Sequence, residues 1–170
     1  MATVLDVARY FLDKLGPMSA MKLQKLCYYA QAWTLAWDEV ELFPEEFEAW
    51  TDGPVCPKLF QRHKGNFQID SNMLQDGYPK AFSQSQANNL ERVSMEYGDK
   101  DADWLREQTH SEDPWKIARS GLSADERSNN IVTKESMRLY YGGFLPDEEV
   151  EAISRQIMAD NRECYRVLAQ

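Results

Sequence analysis

Apolar positions along the chain fall mainly at helical spacing, punctuated by glycine, proline and capping residues. Leu5, Ala8, Leu12 and Leu15 recur three and four apart, the signature of a helix with one buried face. Thr3 stands at its start with Asp6 three residues on, close to a capping box, and Gly16-Pro17 stops it. Ser19 caps a second predicted helix that runs to about Trp37. Leu23, Leu26, Cys27, Ala30, Trp33 and Trp37 share one face of it and read as core. Lys22, Lys25 and Tyr29 fall together on another face. That stripe reads either as a solvated face or as a surface offering charge, donors and stacking area to a partner.

Beyond the second helix, Glu46 to Trp50 alternates like a short strand and ends in the turn Thr51-Asp52-Gly53-Pro54-Val55. Pro57 suits the first position of a short helix ending near Gly65. Residues 66–82 read as a loop with short strands around Phe67 to Ile69. Ser83 and Gln86 form a capping box for a helix to about Tyr97, with Ala87, Leu90 and Val93 inward. Further helices are predicted from Asp101 or Ala102 to Gln108, from Pro114 to Arg119, and from Thr133 to Tyr141, with a polar loop over Gly121 to Asn130. Leu145-Pro146-Asp147 opens a last helix whose stripe of Val150, Ile153, Ile157, Cys164 and Leu168 is expected to pack on the same chain, a partner's groove being the alternative. The fold class expected is mainly α: a compact single-domain helical bundle with a small β element over residues 1–143, followed by an amphipathic helix in residues 144–170.

Composition narrows the function. The chain has 170 residues, 43% hydrophobic and 12% aromatic, enough for a self-sufficient core and unlike a disordered chain. No apolar run reaches the ~20 residues of a membrane span. Asp6, Arg9, Asp13 and Lys14 break the first fifteen residues, unlike a signal peptide, so a cytoplasmic location is expected. The net charge of −9 argues against sequence-independent nucleic-acid binding and against anionic membrane surfaces, and suits a basic protein partner. Acids concentrate at Asp38, Glu39, Glu41, Glu45, Glu46, Glu48 and Asp52, interrupted by Phe43, Phe47 and Trp50, so part of that run must pack. Cys27, Cys56 and Cys164 show neither metal-ligand spacing nor a disulfide framework, and read as reduced thiols. His63 sits among Lys58, Arg62 and Lys64, a setting that repels a metal. His110 beside Glu112 and Asp113 is the single candidate for acid–base chemistry, against a structural role as a helix-end residue. No glycine-rich phosphate loop is present, so no catalytic residue, metal or cofactor is assigned.

Three stretches, in order, carry a resemblance: Met21-Lys22-Leu23-Gln24-Lys25-Leu26-Cys27-Tyr28-Tyr29-Ala30-Gln31, Phe47-Glu48-Ala49-Trp50-Thr51-Asp52-Gly53-Pro54-Val55-Cys56-Pro57-Lys58-Leu59, and Thr109-His110-Ser111-Glu112-Asp113-Pro114-Trp115. Together they resemble the Panacea domain of the SocA-like antitoxins, found also in phage- and prophage-encoded proteins, over roughly Val4 to Tyr141. The resemblance implies an α-rich fold with a small β element. It also implies a binding role: the domain binds a toxin encoded beside it and blocks it, or in one branch acts as an adaptor handing the toxin to a protease. Leu23, Leu26, Ala30, Trp50, Gly53, Pro54, His110, Pro114 and Trp115 then read as framework, with Trp115 plugging the core. Lys22, Lys25, Tyr28 and Tyr29 read as partner contacts, and His110 and Glu112 as a polar link to the second helix.

Three functions compete. A non-enzymatic antitoxin binds one protein partner, a toxin or host protein. An acidic decoy uses Asp38 to Asp52 and the Asp147 helix to imitate nucleic-acid phosphates. An enzyme places a hydrolytic or transferase site at His110.

Overall fold

The structure is a computed structural model that describes residues 1–143, with Arg155 and Ala159 beyond them. The predicted helix from Asp147 and its apolar stripe lie outside the described residues.

Seven α-helices and five short strands make up the described region. Helix α1 spans Val4–Leu15, with the Thr3 hydroxyl and the Asp6 carboxylate completing a reciprocal capping box. Its end is set by Gly16, at φ +83, a conformation that costs glycine little. Strand β1 (Met18–Ser19) leads directly into α2 (Ala20–Asp38), with the Ser19 hydroxyl accepting from the Lys22 amide. Helix α2 is the axle of the molecule. It packs against α1, the later helices α4 (Gln84–Tyr97), α5 (Ala102–Ser111) and α7 (Lys134–Tyr141), and strand β3 (Gly53–Val55). Its middle, Leu23 to Ala32, is enclosed on every side, which is why polar and apolar residues alike are buried there.

The β element is larger than expected. Strand β2 (Phe47–Trp50) pairs antiparallel with β3, Glu48 opposite Val55 and Trp50 opposite Gly53, so the predicted turn is a hairpin with strand on both sides. On its other edge β2 pairs with β5 (Ile131–Val132), Phe47 opposite Val132. Two residues are too few for an alternating pattern, so β5 left no trace beside its polar loop. A second, two-stranded sheet joins β1 to β4 (Gln68–Ile69). Helix α3 (Pro57–His63) starts at proline, and α6 (Asp113–Ala118) carries Pro114 in its first turn, where a missing N–H costs nothing.

The core gathers Phe11, Leu23, Leu26, Tyr28, Tyr29, Phe43, Phe47, Leu59, Leu74 and Leu90 around α2. Among the described residues no helix is long and apolar enough to cross a membrane.

Candidate functional site

Four polar side chains of the first motif each tie a different strand or loop to α2. The Gln24 amide accepts from the Cys56 backbone N–H at 2.9 Å and donates to the Cys56 carbonyl at 3.3 Å. Its nitrogen also lies 3.0 Å from His63 Nε2, which accepts if that nitrogen is unprotonated. Gln31 repeats the device one turn-pair later, accepting from Leu42 N–H and donating to the Phe43 carbonyl, both at 2.7 Å. Tyr29 donates its hydroxyl proton to the Glu112 carboxylate. Lys25 donates to the Pro54 carbonyl at 3.1 Å. A side-chain amide that pairs with a backbone N–H and a backbone carbonyl together substitutes for a strand neighbour, and its loss leaves two buried polar groups unmatched.

The second and third motifs meet at Lys25. Gly53 adopts φ +110, and a Cβ there would lie 2.6 Å from Lys25 Cε and 2.9 Å from Thr109 Oγ1. Only glycine permits both that backbone and that approach. Across the hairpin, Trp115 donates its indole N–H to the Trp50 carbonyl at 2.9 Å, and the His110 ring stacks on Trp115 at 4.0 Å. Arg119, buried to 5% exposure, donates to the Ala49 carbonyl and to Ser123 and Glu126 carbonyls of the following loop. Trp50, Gly53, Pro54, His110, Pro114 and Trp115 thus all sit in or against one corner.

Burial sets the electrostatics of this corner. Desolvation pushes the Lys25 amine down to about 7, opposed by Asp52 and reinforced by Arg106. Desolvation likewise pushes the Glu112 carboxyl up to about 7, while the hydroxyls of Tyr29 and Tyr141 act the other way. His110 is held below its ordinary value by burial and by the charges of Arg106 and Lys25. Its Nε2 is buried without a hydrogen-bond partner. The expected polar link to α2 is therefore made by Glu112, while His110 contributes a ring stack. Among the described residues no group of three or more His, Cys, Asp or Glu side chains is placed to hold a metal. Cys27 and Cys56 are free and buried, with thiols pushed up by desolvation.

One expectation needs correction. Lys25, Tyr28 and Tyr29 are not an exposed contact stripe: their exposures are 1%, 1% and 0%. The i, i+3, i+7 spacing did place Lys22, Lys25 and Tyr29 on one face, but β3 and Thr109 of α5 cover Lys25, and Tyr97 of α4 and Tyr141 of α7 cover Tyr29. Lys22 alone of the four is partly exposed, its ammonium donating to the Gly98 carbonyl at 2.7 Å.

The acidic run, in turn, is not a row of free carboxylates. Glu41 and Glu46 pair with Lys134, Glu45 with Lys58, Glu39 with Arg138 and Asp52 with Arg106. Asp38 accepts from Ser85 and Asn89, and Glu48 from the Trp50 indole. Each acid of the run has a partner within the chain.

A second surface, absent from the sequence reading, lies toward the far end of α2. Trp33 and Trp37 stack at 5.2 Å, and the Trp33 indole donates to the Tyr97 hydroxyl at 2.9 Å. The Arg92 guanidinium lies 3.6 Å from the Trp37 ring centroid. With Val93 and Glu96 these residues line a groove of about 300 Å³. The signal was visible as two tryptophans four apart, but helical spacing assigned both wholly to the core. Each is in fact half-buried.

Residues 23–116, more than half of the chain, match the family model of the antitoxin SocA-like, Panacea domain. The chain belongs to that family. Comparison with curated proteins and with solved structures returns no match. The three motifs that converge on Lys25 and Gly53 all overlap the matched residues, whereas α1, β5 and α7 lie outside them.

Proposed function

We propose that this chain is a non-enzymatic, antitoxin-like binding protein that neutralises a partner toxin by direct contact. Membership of the SocA-like antitoxin family over residues 23–116 carries the reading. The use made of the motif residues supports it. Lys25, Tyr29 and Glu112, whose protonation burial displaces, are packed into the framework and bonded to the chain itself. Such groups hold a binding surface rigid, and a rigid surface loses less entropy on association.

The test is co-expression with the product of the neighbouring gene. A stoichiometric complex on size exclusion, together with relief of that product's toxicity, is the expected result. Toxicity unchanged by co-expression, with no complex recovered, overturns the reading. A parallel measurement addresses the catalytic competitor. His110→Ala is expected to lower the melting temperature and leave neutralisation intact once the fold is held at low temperature.

A further inference from the structure

The antitoxin reading names a partner but not the surface that meets it. Trp33, Trp37, Arg92, Val93, Glu96 and Tyr97 form the groove described above, between the last turns of α2 and the last turns of α4. Interface hot spots are enriched in tryptophan, tyrosine and arginine seated over desolvated pockets, and this groove is made of those types. Its walls are braced from below. Tyr97 stacks on the buried Tyr29 at 4.1 Å, and Trp33 packs edge-on against Tyr141 at 5.2 Å. The rings are therefore held in place before anything binds, at little entropic cost to the complex.

Charge gives the groove a direction. Arg92 is exposed, its flat face is taken by Trp37, and no carboxylate of the described residues pairs with it. Its N–H edge is left open to receive a carboxylate in two parallel hydrogen bonds. Glu96, one helical turn further along α4, is exposed and of opposite sign. It repels an anion at that end and attracts a cation.

We propose that the groove is the docking site for a segment of the partner toxin that presents an acidic residue, a large apolar residue and a basic residue in sequence. The acidic residue meets Arg92, the apolar side chain lies on Trp33, Trp37 and Tyr97, and the basic residue meets Glu96. The inference rests on the antitoxin reading and supplies its contact surface.

The test uses the full chain co-expressed with the neighbouring gene product, with affinity measured on the purified partners. Trp37→Ala is expected to weaken the complex by a hundredfold or more and Arg92→Glu by tenfold or more. Glu96→Arg is expected to weaken it less, and Lys64→Glu, an exposed lysine outside the groove, not at all. Circular dichroism on each variant separates lost contact from lost fold, and Arg92→Gln serves as the conservative variant. A complex that forms with wild-type strength in Trp37→Ala and Arg92→Glu overturns the groove proposal and leaves the antitoxin reading standing. No complex with the unaltered chain overturns both. Two other occupants have their own signatures, and either one overturns the proposal. A dimer of the isolated chain lost in Arg92→Glu marks a second copy in the groove. Hydrogen exchange over residues 147–157 accelerated by Arg92→Glu in the isolated chain marks its own C-terminal segment.

Discussion

The two halves of α2 invert the usual association of polarity with exposure. Its first half, Gln24 to Gln31, carries two amides, an ammonium and two phenols, and all are buried. Its second half carries Trp33 and Trp37, and both reach the surface. The difference follows from what each half faces. The first half is surrounded by strands and loops that bring unpaired backbone groups with them, and side-chain donors and acceptors satisfy those groups. Around Trp33 and Trp37 the second half meets Arg92 and Tyr97 of α4 and Tyr141 of α7, helices whose backbone groups are paired within themselves, so there the contacts are made by side chains alone. Polar side chains here build the scaffold, and two large aromatic ones reach the surface.

The largest break in that contrast is Gly53→Ala. It demands a strained backbone and places a methyl 2.6 Å from Lys25 Cε. A loss of roughly 3 kcal/mol or more, or failure to fold, is expected in denaturant unfolding. Gln31→Leu comes next, stranding the Leu42 N–H and the Phe43 carbonyl. A loss of about 2–4 kcal/mol follows from the cost of two unmatched buried groups, read as a lower denaturation midpoint at unchanged slope.

The titrations of Lys25 and Glu112 sharpen the contrast without altering any contact. Lys25 is held at about 7 in the fold, well below the ~10.4 of an unfolded lysine. Between those values the unfolded chain binds the extra proton, so stability rises with pH from about 7 toward 10. Glu112 is held at about 7, above the ~4.3 of an unfolded glutamate. There the folded chain binds the extra proton, so stability falls as pH climbs from about 4.5 to 7. The pair together place a trough near neutrality, a few kcal/mol deep at most. Lys25→Met is expected to flatten the alkaline limb and Glu112→Gln the acidic one, measured as melting temperature against pH.

In the second half of α2 and along the acidic run the expected stability effects are smaller. Trp37→Ala removes a half-exposed ring and is expected to cost about 1 kcal/mol of folding stability, in contrast to its effect on the complex. Glu39→Gln, at a carboxylate 77% exposed and 3.8 Å from Arg138, is expected to change stability by less than ~0.5 kcal/mol.

Helix limits were legible because the chain writes them in caps. Thr3, Ser19, Ser83 and Thr133 all cap helices through their hydroxyls. Strand β5 was not legible, since its pairing with β2 depends on where the polar loop returns. Burial of Lys25 and Tyr29 was hidden for a related reason. Periodicity reports which residues share a face, and only the tertiary arrangement reports how many faces are covered. The groove was missed because Arg92 and Trp37 are far apart in sequence, and nothing local in either announces the stack.

Helix α7 lies outside the matched residues, yet its Tyr141 hydroxyl bonds that of Tyr28 at 3.3 Å across a sequence separation of 113. A ribosome adding about 5–20 residues per second takes on the order of ten seconds to span that interval. Throughout it, Tyr28 and Tyr29 have Phe47 and then Tyr97 beside them but lack the Tyr141 ring that completes their cluster. Closure of that hydroxyl pair is therefore a late event in synthesis, set by when residue 141 emerges.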